Sequence, residues 1–350
     1  MDCNRKKSEL TVSERFVRTL NGQPVDRLPV IEMSMWWDKT IENWQAQGLP
    51  WRGKYGSGFT EQMEIMEVFG LDLRGQLWVT PYTGQTPRPA AHGQGMVATA
   101  DDYIRKLRPT LYPDPEVKFP PEFVRAMKKL QSEGRVVTEL ILNGPFWEPR
   151  QFLGIEKHLF SFYDQSDLYG MMTADMLAWH KKVLEYALNT LKFDFVLFAE
   201  DMSYNNGPMI GKNIFDGFIA PYYTALAPLL KAADIFPMLD SDGDIMTPLS
   251  WYREVGIRGA EPLEAQAGFD VNAAQTHYPD MAFVGNFDKM IMDKGRRALE
   301  REFERLLPAG KRGRFILSVD HQTPPHITLE DYKTFVGLYK RWAVEAAQCR

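Results

Sequence analysis

The sequence predicts an α/β fold of the (β/α)8, or TIM-barrel, class with an N-terminal lid and hairpin insertion, and three observations carry that expectation. Seven short apolar runs are spread along the 350 residues, and their closing residues are carboxylates, amides or a histidine: Glu32, Asn143, Glu200-Asp201, Asp240-Ser241-Asp242, Glu261, Asn286 with Asp288, and Asp320-His321. From residue 120 onward helical and apolar stretches alternate, which implies parallel strands joined by crossovers. No Gly-x-Gly-x-x-Gly follows a strand, which disfavours a dinucleotide fold. Strands of such a barrel are buried on both faces while their C-terminal tips surround the pocket, so the closing polar residues are the candidates for chemistry.

In order along the chain, Thr11 or Ser13 can cap a helix to about residue 20, and Asn21-Gly22-Gln23-Pro24 ends it. Residues 27–33 read as the first barrel strand. The tryptophan-rich stretch 36–51 reads as a loop with short helices over the barrel mouth, and 61–69 as a helix. Residues 72–80 and 95–99 read as an accessory hairpin, so 36–118 is expected as an inserted lid within a single domain over 1–350. Helices then follow over 122–133, 155–163, 166–191, 213–232, 248–255, 289–307 and 329–347. Between them, barrel strands are expected over 135–142, 193–199, 234–239, 257–260, 281–285 and 314–319, with a turn over 270–278. This gives seven barrel strands, and the eighth is irregular or lies where a helix is read.

Composition narrows the function classes. Hydrophobic residues at 44% and charged residues at 25% fit a soluble globular protein with a substantial core. A formal charge of -5 and a pI near 5.8 work against a polyanionic partner, so nucleic acid is not expected. Cys3 and Cys349, at opposite ends, form neither a disulfide framework nor a spaced ligand set. The charged start of the chain has no apolar core of a secretion signal, and no run reaches the ~18 apolar residues of a membrane span. Cytoplasmic residence, with no membrane partner, is the expectation.

Several phrases together carry a resemblance. They are Arg15-Phe16 through Pro24-Val25-Asp26-Arg27-Leu28-Pro29-Val30, Glu200-Asp201-Met202 with Gly207-Pro208-Met209-Ile210, and Pro221-Tyr222-Tyr223. Further on come Asp240-Ser241-Asp242-Gly243-Asp244, Pro262-Leu263-Glu264, Gly285-Asn286-Phe287-Asp288, and Asp320-His321 with Thr323-Pro324-Pro325. In this order and spacing the chain resembles the uroporphyrinogen decarboxylase and cobalamin-dependent methyltransferase superfamily, from about Arg15 to the last helix. The resemblance implies a (β/α)8 barrel with a cofactor or tetrapyrrole at its C-terminal mouth.

The chain departs from two branches of that superfamily. True decarboxylases follow the opening Pro-Val with Met-Arg-Gln-Ala-Gly-Arg, whose arginines hold the substrate's carboxylates; here the run continues Ile31-Glu32-Met33-Ser34-Met35-Trp36-Trp37-Asp38. An acidic, aromatic site repels a polycarboxylate. Zinc thiol methyltransferases carry His-x-Cys after one strand and a later Cys, where this chain has Asp240-x-Asp242 and Asp320-His321. The remaining branch is similar to corrinoid-linked demethylating enzymes. It implies a small methylated donor, a methoxyaromatic or a methylamine, and cobalamin carried by a partner protein, since the chain lacks Asp-x-His-x-x-Gly.

The candidate catalytic residues are Asp240, Asp242, His321 and Glu264, because clustered carboxylates raise one another's pKa and one can serve as general acid, with His321 as the other proton donor. Glu32, Trp36, Trp37, Glu200, Asp201, Tyr204 and Asn286 are the candidate substrate-binding residues, the aromatic ones as an apolar wall or a seat for a quaternary ammonium. Asp240, Asp242 and His321 can also hold zinc or another divalent ion. Each has a structural alternative: 240–244 as a strand-to-helix turn, Glu200-Asp201 as a helix cap, Glu264 in a salt bridge, His321 on backbone, and the tryptophans as packing. His92, His158, His180 and His277 read as surface or packing residues. Two other functions remain open: a carboxy-lyase for a smaller acid, and a non-catalytic tetrapyrrole-binding protein.

Overall fold

The structure is a computed structural model describing residues 10–56 and 60–348. Cys3, Cys349 and the charged residues 1–9 lie outside the described residues. The chain divides into two compact units. One takes in the chain through Gly75, Lys129–Val137 and everything from Asp270 onward; the other takes in Gln76–Lys128 and Thr138–Phe269.

The second unit is built on parallel strands. Strand β1 (Leu73–Val79) precedes β2 (Val136–Asn143), β3 (Phe195–Ala199), the two-residue hairpin β4 (Ser203–Tyr204) and β5 (Gly207–Pro208), then β6 (Phe236–Asp240) and β7 (Gly259–Glu261). The sheet order is β1-β2-β3-β6-β7, and β2–β3, β3–β6 and β6–β7 pair in parallel. All eight residues of β2 and all five of β3 are buried, as strands covered on both faces require. The helices Ser166–Thr190 and Ala220–Ala232 connect these strands.

In the first unit, β8 (Ala282–Phe287) pairs in parallel with β9 (Phe315–Val319). Thr11 caps the helix Val12–Leu20 in a full capping box with Glu14, as the sequence predicts. The helix Leu329–Ala347 begins at Thr328, whose side chain accepts from the Asp331 N–H, and it buries Tyr332, Phe335, Val336, Tyr339, Trp342 and Ala343 along one helical stripe. No helix among the described residues is long and apolar enough to cross a membrane.

Three expectations are corrected. Residues 27–33 form no strand: Pro29 has no N–H to give, and the N–H groups of Val30, Ile31 and Met33 donate to Asp72 Oδ2 (2.8 Å), Tyr339 OH (3.3 Å) and Ser318 Oγ (3.0 Å) instead of to a ladder. The expected hairpin is absent too. Leu73–Val79 belongs to the sheet, while the Met96 and Val97 N–H groups both donate to Phe152 O, so 95–99 stays irregular. Finally, 271–277 is a helix, Val271–His277, because the Asp270 carboxyl caps the Asn272 N–H.

Candidate active site

Parallel pairing sets the strand ends of the second unit level with one another. Asn143 of β2 is opposite Ala199 of β3, Ala199 opposite Asp240 of β6, and Asp240 opposite Glu261 of β7. The next residues of the chain, Glu200-Asp201 and Ser241-Asp242, therefore leave the sheet side by side. The N–H of Glu200 donates to Asp240 O at 2.9 Å and that of Ser241 to Glu261 O at 3.1 Å. Asp240, Asp242, Glu264, Glu200 and Asp201 are thus gathered in one region of one unit, as their places at strand ends predict.

Their environments differ. Glu200 is fully buried; its Oε2 accepts from the N–H groups of Phe146 (2.8 Å) and Trp147 (3.1 Å), and its Oε1 from Tyr223 OH (2.6 Å). Burial still pushes its carboxyl up to about 7. Gly144 is required beside it, since a Cβ there would meet Glu200 Cδ at 2.2 Å. Glu200 is accordingly a post that fixes the loop after β2.

Asp201 and Glu264 hold the turn after β6. Asp201, itself at φ +44°, accepts from the Asp242 N–H at 3.2 Å, and Glu264 Oε2 accepts from the Gly243 N–H at 3.0 Å. The Asp244 N–H donates to Tyr204 O at 3.0 Å, and a Cβ on Gly243 would press on the Tyr204 backbone at 2.7 Å. This turn is thereby packed on the β4–β5 hairpin, with the Tyr204 side chain exposed.

Asp240 stands apart. Burial raises its pKa well above the usual aspartate range, and Asp201, Glu261, Asp242 and Glu139 push the same way. Among the described residues no hydrogen-bond donor reaches its carboxyl. A carboxyl surrounded by carboxylates in a poorly solvated place is driven toward its protonated form, the state that a general acid requires.

Sequence reasoning missed a second buried carboxyl. Glu148 is fully buried, accepts from Tyr82 OH and from Asn143 Nδ2 (2.5 Å), and is pushed up to about 7 by burial. Asn143 in turn accepts from Trp78 Nε1 at 2.8 Å. Glu148 gives no signal in the sequence because it lies inside the helix Trp147–Leu153 and not at a strand end. Tyr223 belongs to a phrase that carries the resemblance, yet its bond to Glu200 is visible only in three dimensions.

The remaining candidates lie in the first unit. Glu32 is buried, accepting from Ser318 Oγ (2.8 Å) and Tyr332 OH (3.3 Å), and burial pushes it up to about 7. Asn286, at φ +61°, accepts from the Val271 N–H (3.2 Å) and from Arg305 Nη1 (3.1 Å). Trp36, 1% exposed, packs in an aromatic cluster with Trp44, Phe69 and Tyr332, whereas Trp37 is 45% exposed. His321 is half-buried in the loop after β9, and Thr40, Asn43 and Trp44 pin the continuation of that loop through Thr323 O, Pro325 O and Ile327 O. His158 and His180 pack in the second unit, and burial lowers both to about 3.

Among the described residues there is no group of three or more His, Cys, Asp or Glu side chains placed to hold a metal ion.

Residues 183–342 match the family model described as Uroporphyrinogen decarboxylase (URO-D). No curated protein sequence matches the chain. Among solved structures, a methyltransferase from Methanosarcina mazei is similar at a TM-score of 0.67 and 16% identity, over 95% of this chain and 99% of that one. Two weaker likenesses are to vitamin-B12-independent methionine synthases. The one described as putative, from Listeria monocytogenes, has a TM-score of 0.45 and 10% identity over 91% of this chain and 97% of that one. The one from Shewanella sp. W3-18-1 has a TM-score of 0.40 and 9% identity over 63% and 65%. The resemblance read from the residues is thus met by a match to the uroporphyrinogen decarboxylase family model over 183–342, and over nearly its whole length the chain shares the fold of the Methanosarcina methyltransferase.

Proposed function

We propose that this chain is an enzyme that transfers a methyl group from a small methylated donor, a methoxyaromatic or a methylamine, to cobalamin carried by a partner protein. The observation that carries the reading is Asp240, a carboxyl set among carboxylates at the strand ends with no donor to stabilise its charge. Methyl transfer from an ether or amine breaks a carbon–heteroatom bond, and the departing oxygen or nitrogen needs a proton. The reduced corrinoid supplies the nucleophile when bound. Asp240 supplies the proton and is reprotonated from water.

The other groups position it. Glu200 fixes the loop after β2 and the adjoining backbone of β6, while Asp201 and Glu264 hold the turn carrying Asp242. Asp242 lies two residues beyond Asp240 as a further carboxylate pressing on it. Tyr204, exposed on the hairpin against which the Asp242 turn packs, offers an apolar face to the donor. A carboxy-lyase acting on a smaller acid is the poorer reading, because the carboxylates around Asp240 repel an acid substrate.

The test is to mix the protein with a corrinoid carrier protein, reduced to the cobalt(I) state, and a panel of methoxyaromatics and methylamines. The visible spectrum should change to that of the methylated corrinoid with at least one donor. No change with any donor, or release of carbon dioxide from a carboxylic acid without corrinoid, refutes the proposal.

A further inference from the structure

The second unit also carries a cavity of opposite character. It encloses about 370 Å³ and is lined by Arg88, His92, Arg150, Gln151, Trp147 and Ile155 among others, none of them acidic. That volume suits a small molecule. In a chain of net charge -5, two guanidiniums line one hollow that no carboxylate lines, with an imidazole as a further polar group.

Neither arginine is engaged elsewhere. Among the described residues the side chains of Arg88 and Arg150 make no ion pair and no hydrogen bond; the Arg150 guanidinium lies over the Trp147 ring, 5.1 Å from its centroid. The sequence explains why. On the helix Trp147–Leu153 the residues three and four places from Arg150 are Phe146, Trp147, Leu153 and Gly154, so no acid is in reach, and the neighbouring Glu148 is turned inward to Tyr82 and Asn143. Arg88 stands between Pro87 and Pro89, which restrict its backbone to extended conformations and limit the directions it can take.

We infer that this cavity binds a small carboxylate with an apolar, ring-sized body. A guanidinium lying over an indole is held flat and presents its N–H fork at the edge, the geometry that takes a carboxylate through two bonds. Trp147, Ile155 and Pro89 supply the apolar wall for the rest of the molecule. The inference does not depend on the methyl-transfer reading. It concerns binding alone.

The experiment is calorimetric titration of the full chain with benzoate, with benzamide as its neutral counterpart, and with inorganic phosphate, in the wild type and in Arg150→Ala, Arg88→Ala and Arg150→Lys. Benzoate should bind one per chain at millimolar concentration or below, with benzamide and the Arg150→Ala protein each weaker by about tenfold or more. Arg150→Lys should recover only part of the affinity, because the charge returns without the fork. Thermal unfolding of the variants should match the wild type, since neither arginine makes an internal ion pair. Absence of benzoate binding, equal binding of benzoate and benzamide, or unchanged affinity in both alanine variants overturns the inference. Phosphate binding tighter than benzoate overturns the assignment to an apolar-bodied carboxylate.

Discussion

The strand ends of the two units look alike in sequence and differ in what their polar residues are given to hold. In the first unit, Asn286 accepts from Val271 and Arg305, Glu32 from Ser318 and Tyr332, and Asp320 Oδ1 from the Lys289 N–H at 3.1 Å. Each is occupied with donors. In the second unit Glu200 is equally occupied, but Asp240, one strand away, is desolvated and pressed by Asp201, Glu261, Asp242 and Glu139. Position at a strand end thus nominates a residue, and the supply of donors decides whether it braces the fold or keeps a proton for chemistry.

The largest effect that would sharpen this contrast is on turnover. Asp240→Asn should lower kcat by about 10²- to 10⁴-fold, the usual contribution of a general acid, while the melting temperature stays level or rises because a carboxyl that must take up a proton on folding is gone. Loss of folding with loss of activity would place Asp240 among the braces. Next in size, Glu200→Ala strands the N–H groups of Phe146 and Trp147 and the Tyr223 hydroxyl, and should destabilise by about 3 kcal/mol or more in denaturant titration. Gly144→Ala drives a methyl group into the Glu200 carboxyl and should cost about 1–3 kcal/mol by the same measurement. Asn286→Ala, losing one acceptor and keeping an unfavourable φ, should cost about 1–2 kcal/mol with kcat unchanged. A marked fall in kcat there would break the comparison.

The smallest prediction concerns pH. Glu32, Glu148 and Glu200 are each pushed from 4.5 up to about 7 by burial, so the folded chain holds protons that the unfolded chain releases in that interval. Their contribution to stability is complete below the unfolded value and is lost as pH rises through about 7. Melting temperature measured across this range should fall less steeply in Glu32→Gln than in the wild type. An unchanged slope would mean that the carboxyl of Glu32 is ionised throughout.

Much of this was legible in the residues. Long buried runs such as 135–142 and 193–199 announced their strands because burial on both faces makes most of their side chains apolar, and Thr11 and Glu14 announced the first helix through their spacing. The clustering of Asp240, Asp242, Glu264, Glu200 and Asp201 followed from parallel strands ending level. What was hidden depends on distant partners. Residues 27–33 look like a strand until Asp72, Ser318 and Tyr339 are seen to take their N–H groups, and the roles of Glu200 and Glu148 rest on Tyr223 and Tyr82, far away in the chain. Apolar periodicity reports burial and is silent about which donor arrives.

The state of one proton at neutral pH tests the account most directly. Infrared difference spectra of the wild type against Asp240→Asn, with carboxyl carbons isotopically labelled, would resolve the carbonyl band of a protonated aspartic acid. The band should be present in the wild type at neutral pH and absent in the variant. A difference spectrum showing only an ionised carboxylate at neutral pH would contradict the assignment of Asp240 as the proton donor.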